Sequence, residues 1–153
     1  MLRYLEQFDV WAINLFRRLS MPLGRFALFV VFFWFGILKI IGTSPANPMV
    51  MDLMHKTLPF MTWETFIIIF SIYEMIIGLT FLIPKLERFA IAILFPHMIM
   101  TMLPLIFLPD MTWQGFMTPT LEGQYIIKNL VIIALAVGIA AHLHPLHNLK
   151  KGR

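Results

Sequence analysis

The sequence predicts an all-α integral membrane protein, a four-helix bundle with an N-terminal amphipathic helix lying in the membrane interface. Three observations predict it. Of 153 residues, 59% are hydrophobic and only 13% charged, and mean hydropathy is +0.82. Soluble domains run about 45–50% apolar and about 25% charged. Four apolar stretches, each near the roughly 20 residues that a bilayer crossing needs, are separated by short polar or Pro-rich connections. Most Lys and Arg flank these stretches, and only Lys39 and Lys128 fall within them.

Residues 1–20 are amphipathic, not a span. Leu5, Phe8, Ala12, Leu15, Phe16 and Leu19 recur at helical spacing, while Arg3, Glu6, Arg17 and Arg18 lie mostly off that stripe. This is the pattern of an interfacial helix. Ser20, Pro22 and Gly24 are expected to break the chain before the first span. Glu6, Asp9, Arg17 and Arg18 also argue against a cleavable signal peptide.

The four spans are expected at about 26–41, 63–83, 89–108 and 125–143, in one domain covering 1–153. Turn residues GTSPANP end the first, Pro84 the second, Pro109 the third, and Pro145 follows the fourth. Pro96 and Pro104 should kink the third, because each removes a backbone donor. Trp63, Trp113 and Tyr125 fall where an outer aromatic belt would sit. Gly36, Gly78 and the pair Ala134 and Gly138 offer flat faces for close helix approach.

With both termini inside, nine of the twelve Lys and Arg (Arg3, Arg17, Arg18, Arg25, Lys85, Arg88, Lys150, Lys151 and Arg153) gather on one side. The positive-inside rule then places both termini in the cytoplasm of a multi-pass inner-membrane protein. The net charge of +4 is therefore read as a topology signal, and no nucleic-acid partner is expected. The absence of Cys excludes disulfides, thiolate metal sites and intrinsic dithiol chemistry.

Each span carries one ionisable group expected to be buried. Glu74 sits near the middle of the second, where a charge costs roughly 2.5–3.5 kcal/mol on insertion scales. At about 1.5 Å per residue, Glu74 and His97 lie at a common depth of roughly 13–14 Å from the cytoplasmic end. Lys39 and Lys128 lie near 21 Å on the same count, with Asn129 and Gln124 beside Lys128. Two layers are expected, with Lys39 long enough to reach down to Glu74. The buried polar site is thus Lys39, Glu74, His97, Lys128 and Asn129. It is either a pocket open to the outer side or an ion-pair network joining the helices.

Other chemistry is disfavoured. Haem would need a second ligand at the depth of His97. The HLHPLH tail places His142 and His144 two apart, wrong for one helix face, so no metal is expected there. The Met- and His-containing runs PMVMDLMH and PHMIMTM are read as apolar filler. No nucleotide loop, Ser–His–Asp arrangement or HExxH occurs.

Three segments, FFWFGILKI, IYEMIIGLTFLIP and LEGQYIIKNLVIIALA, carry a resemblance. Over about residues 26–143 the chain resembles the DoxX-like superfamily of four-helix membrane proteins, including relatives among inner-membrane proteins for reactive-chlorine resistance. The matching positions are Gly36, Lys39, Glu74, Gly78, Gly123, Tyr125, Lys128 and Asn129. That superfamily includes the membrane subunit of an archaeal thiosulfate:quinone oxidoreductase, subunits of oxidative-stress membrane complexes, and distant eukaryotic assembly factors or cargo receptors. It implies no agreed catalytic residue set.

The leading expectation is therefore a redox-linked subunit or assembly factor, not catalytic alone, that needs no cofactor. It would meet the bilayer along its spans and other subunits through outer loops 42–62 and 109–124. Met49, Met51, Phe60, Trp113 and Phe116 would form that surface. The alternative is a quinone-interacting oxidoreductase subunit, with a cofactor site at Tyr73, Glu74, His97 and Lys39 and lining from Phe33 and Trp34. A third expectation is a small-molecule or proton permease, disfavoured because no inverted repeat is visible.

Overall fold

The computed structural model describes residues 2–143, and its architecture is helical apart from one short hairpin. In chain order the elements are α1 Leu2–Ile40, α2 Asn47–Thr57, α3 Trp63–Leu82, α4 Glu87–Met102, α5 Pro104–Phe107, α6 Pro109–Thr112, β1 Trp113–Gly115, β2 Thr118–Pro119 and α7 Leu121–Ala141. Four helical segments are long and apolar enough to cross a membrane: Arg3–Ile40, Trp63–Leu82, Glu87–Phe107 and Leu121–Ala141. α1 packs mainly along α3, α3 against α4, α4 against α7, and α7 returns to α1.

α1 corrects the expected break near residue 20. It is one helix of 39 residues with Pro22 inside it. Proline's fixed φ is already helical, and its missing N–H costs a single bond, to the carbonyl of Arg18. At about 1.5 Å per residue the helix is some 58 Å long, nearly twice a hydrocarbon core. Its second half packs through Gly24, Leu28, Phe32, Gly36 and Lys39, all buried at spacings of four and three. Its first half stands beyond the bundle, with Phe8, Trp11, Phe16 and Leu19 exposed.

The core is a layer of Leu28, Phe32, Ile77, Phe81, Ala90, Leu94, Met98, Ala136 and Ile139, drawn from all four long helices. α3 contributes at the spacing of one helix face, with Phe70, Glu74, Ile77 and Phe81 buried. Two smaller clusters sit at the other end, where Met49 of α2 packs with Leu108 and Ile126, and Met54 packs with Phe66 and Phe70. Methionine's unbranched chain fills these irregular gaps, as its sequence reading supposed.

The expected outer loops hold more structure than their turn residues suggest. Pro48 in the first turn starts α2, where its missing donor is free of cost. The third span divides at Leu103, because Pro104 cannot donate to continue α4. Pro96, by contrast, is carried within α4. The 109–124 connection folds into α6 and an antiparallel hairpin pairing Trp113 with Pro119 and Gly115 with Thr118. α7 begins four residues earlier than expected, because Thr120 caps it by accepting from the Gly123 N–H at 3.1 Å.

Of the small residues, Gly36 and Gly78 do face neighbours, whereas Ala134 and Gly138 are exposed and Ala136 is buried instead. The residues 144–153, with His144, His147 and the basic tail, lie outside the described residues.

Candidate functional site

Two glycines bring α1 and α3 together around the site. A methyl on Gly36 would lie 2.8 Å from Met75 Cγ and 2.9 Å from the Ser71 carbonyl. A methyl on Gly78 would lie 2.9 Å from the Phe33 amide nitrogen and 3.0 Å from the Phe29 carbonyl. Gly36 lies three residues before Lys39 on α1, and Gly78 lies four residues after Glu74 on α3. α4 supplies His97, directly after Pro96.

These three residues meet. Lys39 Nζ donates to both carboxylate oxygens of Glu74, at 2.8 Å to Oε1 and 2.6 Å to Oε2. His97 Nε2 lies 3.0 Å from Glu74 Oε1. All three are buried, at 7%, 4% and 1% exposure for Lys39, Glu74 and His97. A carboxylate only accepts, so Nε2 is the donor of this hydrogen bond. Lys39 and Glu74 are thus paired with each other, which is the condition under which buried ionic groups are tolerable.

Aromatic rings wall it off. Phe70 stacks on the His97 ring at 5.2 Å, and Phe32 meets it edge-on at 5.4 Å. Tyr73 lies 5.9 Å from the same ring. Lys39 Nζ stands 5.6 Å from the Phe70 centroid, within cation–π range. The Tyr73 hydroxyl turns away and donates to the Ile93 carbonyl at 2.6 Å, tying α3 to α4. Tyr73→Phe should therefore lower stability by about 1 kcal/mol with helicity unchanged. Thermal unfolding in detergent followed by circular dichroism would check this.

Two polar atoms at this level have no partner. His97 Nδ1 and Ser71 Oγ are both buried and unbonded. Ser71 stands one turn before Glu74 on the same face, at 0% exposure. The sequence reading passed over Ser71, Phe32 and Phe70. Their spacing was the available signal: Ser71 and Phe70 are three and four residues before Glu74, and Phe32 is seven before Lys39.

The second half of the expected site does not join. Lys128 is exposed and lies 5.1 Å over the Tyr125 ring, and Asn129 is only partly buried. α7 meets the core through Ala136 and Ile139, in the half of the helix away from Lys128. Gln124 is exposed as well. Trp34 is 62% exposed and Phe33 half-buried, both lining an open apolar groove of α1 and not the triad. The expected opening toward one end reduces to a shallow cleft lined by Ser44, Asn47, Met51 and Trp63. There Asn47 Nδ2 donates to the Lys39 carbonyl at 3.4 Å.

A second ion pair, missed from sequence, lies at the opposite end. Arg25 donates through Nη1 to Glu87 at 2.8 Å and through Nε to the Phe81 carbonyl at 2.7 Å. One side chain thus joins α1, the C-terminus of α3 and the N-terminus of α4. Among the described residues no group of three or more His, Asp or Glu could hold a metal ion.

Fold and site together define a bundle of membrane-length helices around one buried Lys39–Glu74–His97 triad. The chain matches no family model, and comparisons with curated proteins and solved structures give no match either.

Proposed function

We propose that this chain is a DoxX-like integral membrane subunit or assembly factor of a redox-linked membrane complex. It sits in an inner membrane with both termini cytoplasmic, and the first half of α1 continues beyond the bundle on the cytoplasmic side. The triad is then internal glue. Both oxygens of Glu74 are engaged by α1 and α4, which use three of the carboxylate's roughly four acceptor sites.

The observation that carries this reading is the apolar surface at the end bearing α2 and the hairpin. Phe60 is 80% exposed, Phe116 97% and Met117 77%, all beyond the long helices. Met117 also holds a positive φ of 55°, a conformation that costs a non-glycine residue stability. Large apolar groups presented outside the spans are the mark of a partner surface. The test is extraction of the tagged full chain from its own membrane in mild detergent, followed by native mass spectrometry. A stoichiometric polypeptide partner is expected, lost in a Phe60→Ser, Phe116→Ser double variant that melts normally. A chain that runs alone in native membranes would sink the proposal.

One observation favours the quinone-interacting alternative. The unpartnered His97 Nδ1 and Ser71 Oγ could bond a quinol hydroxyl or a quinone carbonyl. An adduct of quinone mass, retained by the wild type and lost in His97→Leu, would support it over the subunit reading.

A further inference from the structure

The end of the bundle opposite the hairpin concentrates positive charge. Arg25 is bound to the Phe81 carbonyl and to Glu87, and Gly24 packs on Leu135 and Ile139. Segments 17–26, 81–89 and 135–143 therefore meet at this end. They carry five Lys and Arg against a single acid, Glu87. Glu87 is already bound to Arg25, whose Nη2 is buried without an acceptor.

Continuity of α1 aims its arginines at this corner. Arg17 is eleven residues before the buried Leu28, three turns along one face, and so points beneath the bundle. Arg18 is seven before Arg25 and lies about 10 Å below it on the same side. Both are exposed. Across from them Lys85 projects from the α3–α4 turn, held at a φ of 74° and exposed. A break at residue 20 would have freed Arg17 and Arg18 from this alignment.

The border of the corner is apolar. Leu23 is 63% exposed, Phe26 54%, Ile83 48% and Phe89 52%. They continue directly into the lipid-length faces of α1, α3 and α4. A ligand held by the basic side chains would thus have a hydrocarbon-compatible wall beside it. A free anion or an acidic peptide uses only the first of these features, while an anionic phospholipid uses both.

We infer that Arg17, Arg18 and Lys85 bind the phosphate of an anionic phospholipid in the cytoplasmic leaflet, with its acyl chains against Leu23, Phe26 and Phe89. The inference rests on the reading that the four helices span a bilayer. Basic residues near a membrane surface each add roughly fivefold to attraction for anionic lipid.

The experiment is native mass spectrometry of the delipidated full chain with equimolar dioleoyl phosphatidylglycerol and dioleoyl phosphatidylcholine. Retention of phosphatidylglycerol over phosphatidylcholine by about tenfold or more is expected. An R17Q/R18Q/K85Q variant should fall to near parity, while K128Q, at the opposite end, should retain the preference. All four positions are exposed, and a wild-type melting curve verifies each fold. Equal retention of the two lipids by the wild type, or an undiminished preference in the triple variant, overturns the inference. So does displacement by millimolar inorganic phosphate, which would make this a free-anion site. Carbonate washing of native membranes separates the two failures. A chain released by carbonate defeats the membrane reading, whereas a retained chain with no lipid preference defeats only this one.

Discussion

Glu74→Gln is expected to destabilise the protein by about 3–5 kcal/mol, the cost of breaking a buried ion pair by removing one partner. The magnitude follows from which charge is left behind. Lys39 Nζ has both carboxylate oxygens as partners, and the side chains of Lys39 and Glu74 are only 7% and 6% exposed. In the variant an ammonium stays buried between Phe70 and an amide that carries one acceptor oxygen in place of two. The amide's own N–H groups also compete for the space in which His97 donates. The readout is the denaturant or thermal midpoint in detergent, and a wild-type midpoint would show that the pair carries no stability. Replacing the whole triad separates glue from site. A Lys39→Met, Glu74→Leu, His97→Leu triple variant should recover to within about 1–2 kcal/mol of wild type, since apolar residues of similar volume often replace buried ion pairs without loss. If that variant also keeps its partner polypeptide, the triad acts only as structure. If it melts normally but loses the partner or a bound quinone, the triad is a functional site.

Gly78→Ala should cost about 1–3 kcal/mol, and Gly78→Leu more, because the added carbon meets the backbone of α1 at Phe29 and Phe33 and not a movable side chain. Relief requires α1 and α3 to separate one turn from Glu74, which must stay in contact with Lys39, so packing loss and ion-pair loss should couple. Gly138→Ala is the internal control. It lies in α7 with open space around it, and removing a helical glycine there should stabilise by about 0.5–1 kcal/mol. Melting both variants in one detergent compares close approach with helix propensity. Equal effects of the two substitutions would refute the account of Gly78.

Much of this architecture was legible in the chain. Helical class and span positions follow from local quantities, namely apolar run length, Pro and Gly punctuation, and flanking charge. These survive whatever the helices pack against. Equal depth likewise located Glu74 with His97, and the reach of lysine supplied Lys39, because rise per residue is fixed by the backbone. What local arithmetic lacks is rotation about each helix axis. Lys128 stands at a depth that suits the polar layer, yet its side chain is exposed and lies over Tyr125. Gly138 likewise reads as an interface residue and faces open space, whereas Gly36 and Gly78 meet a neighbouring helix.

The sequence by itself determined four apolar helices, their order, and the need for Glu74 to be neutralised from inside the bundle, because the cost of a buried charge is independent of topology. Only the tertiary structure decided that α1 runs unbroken through Pro22, that Arg25 joins three helices, and that His97 and not Lys128 completes the triad. Those outcomes depend on how far each helix turns and where its neighbours stop. They are set by the packing of Leu28, Phe32, Ile77 and Phe81 against one another, which no single segment encodes.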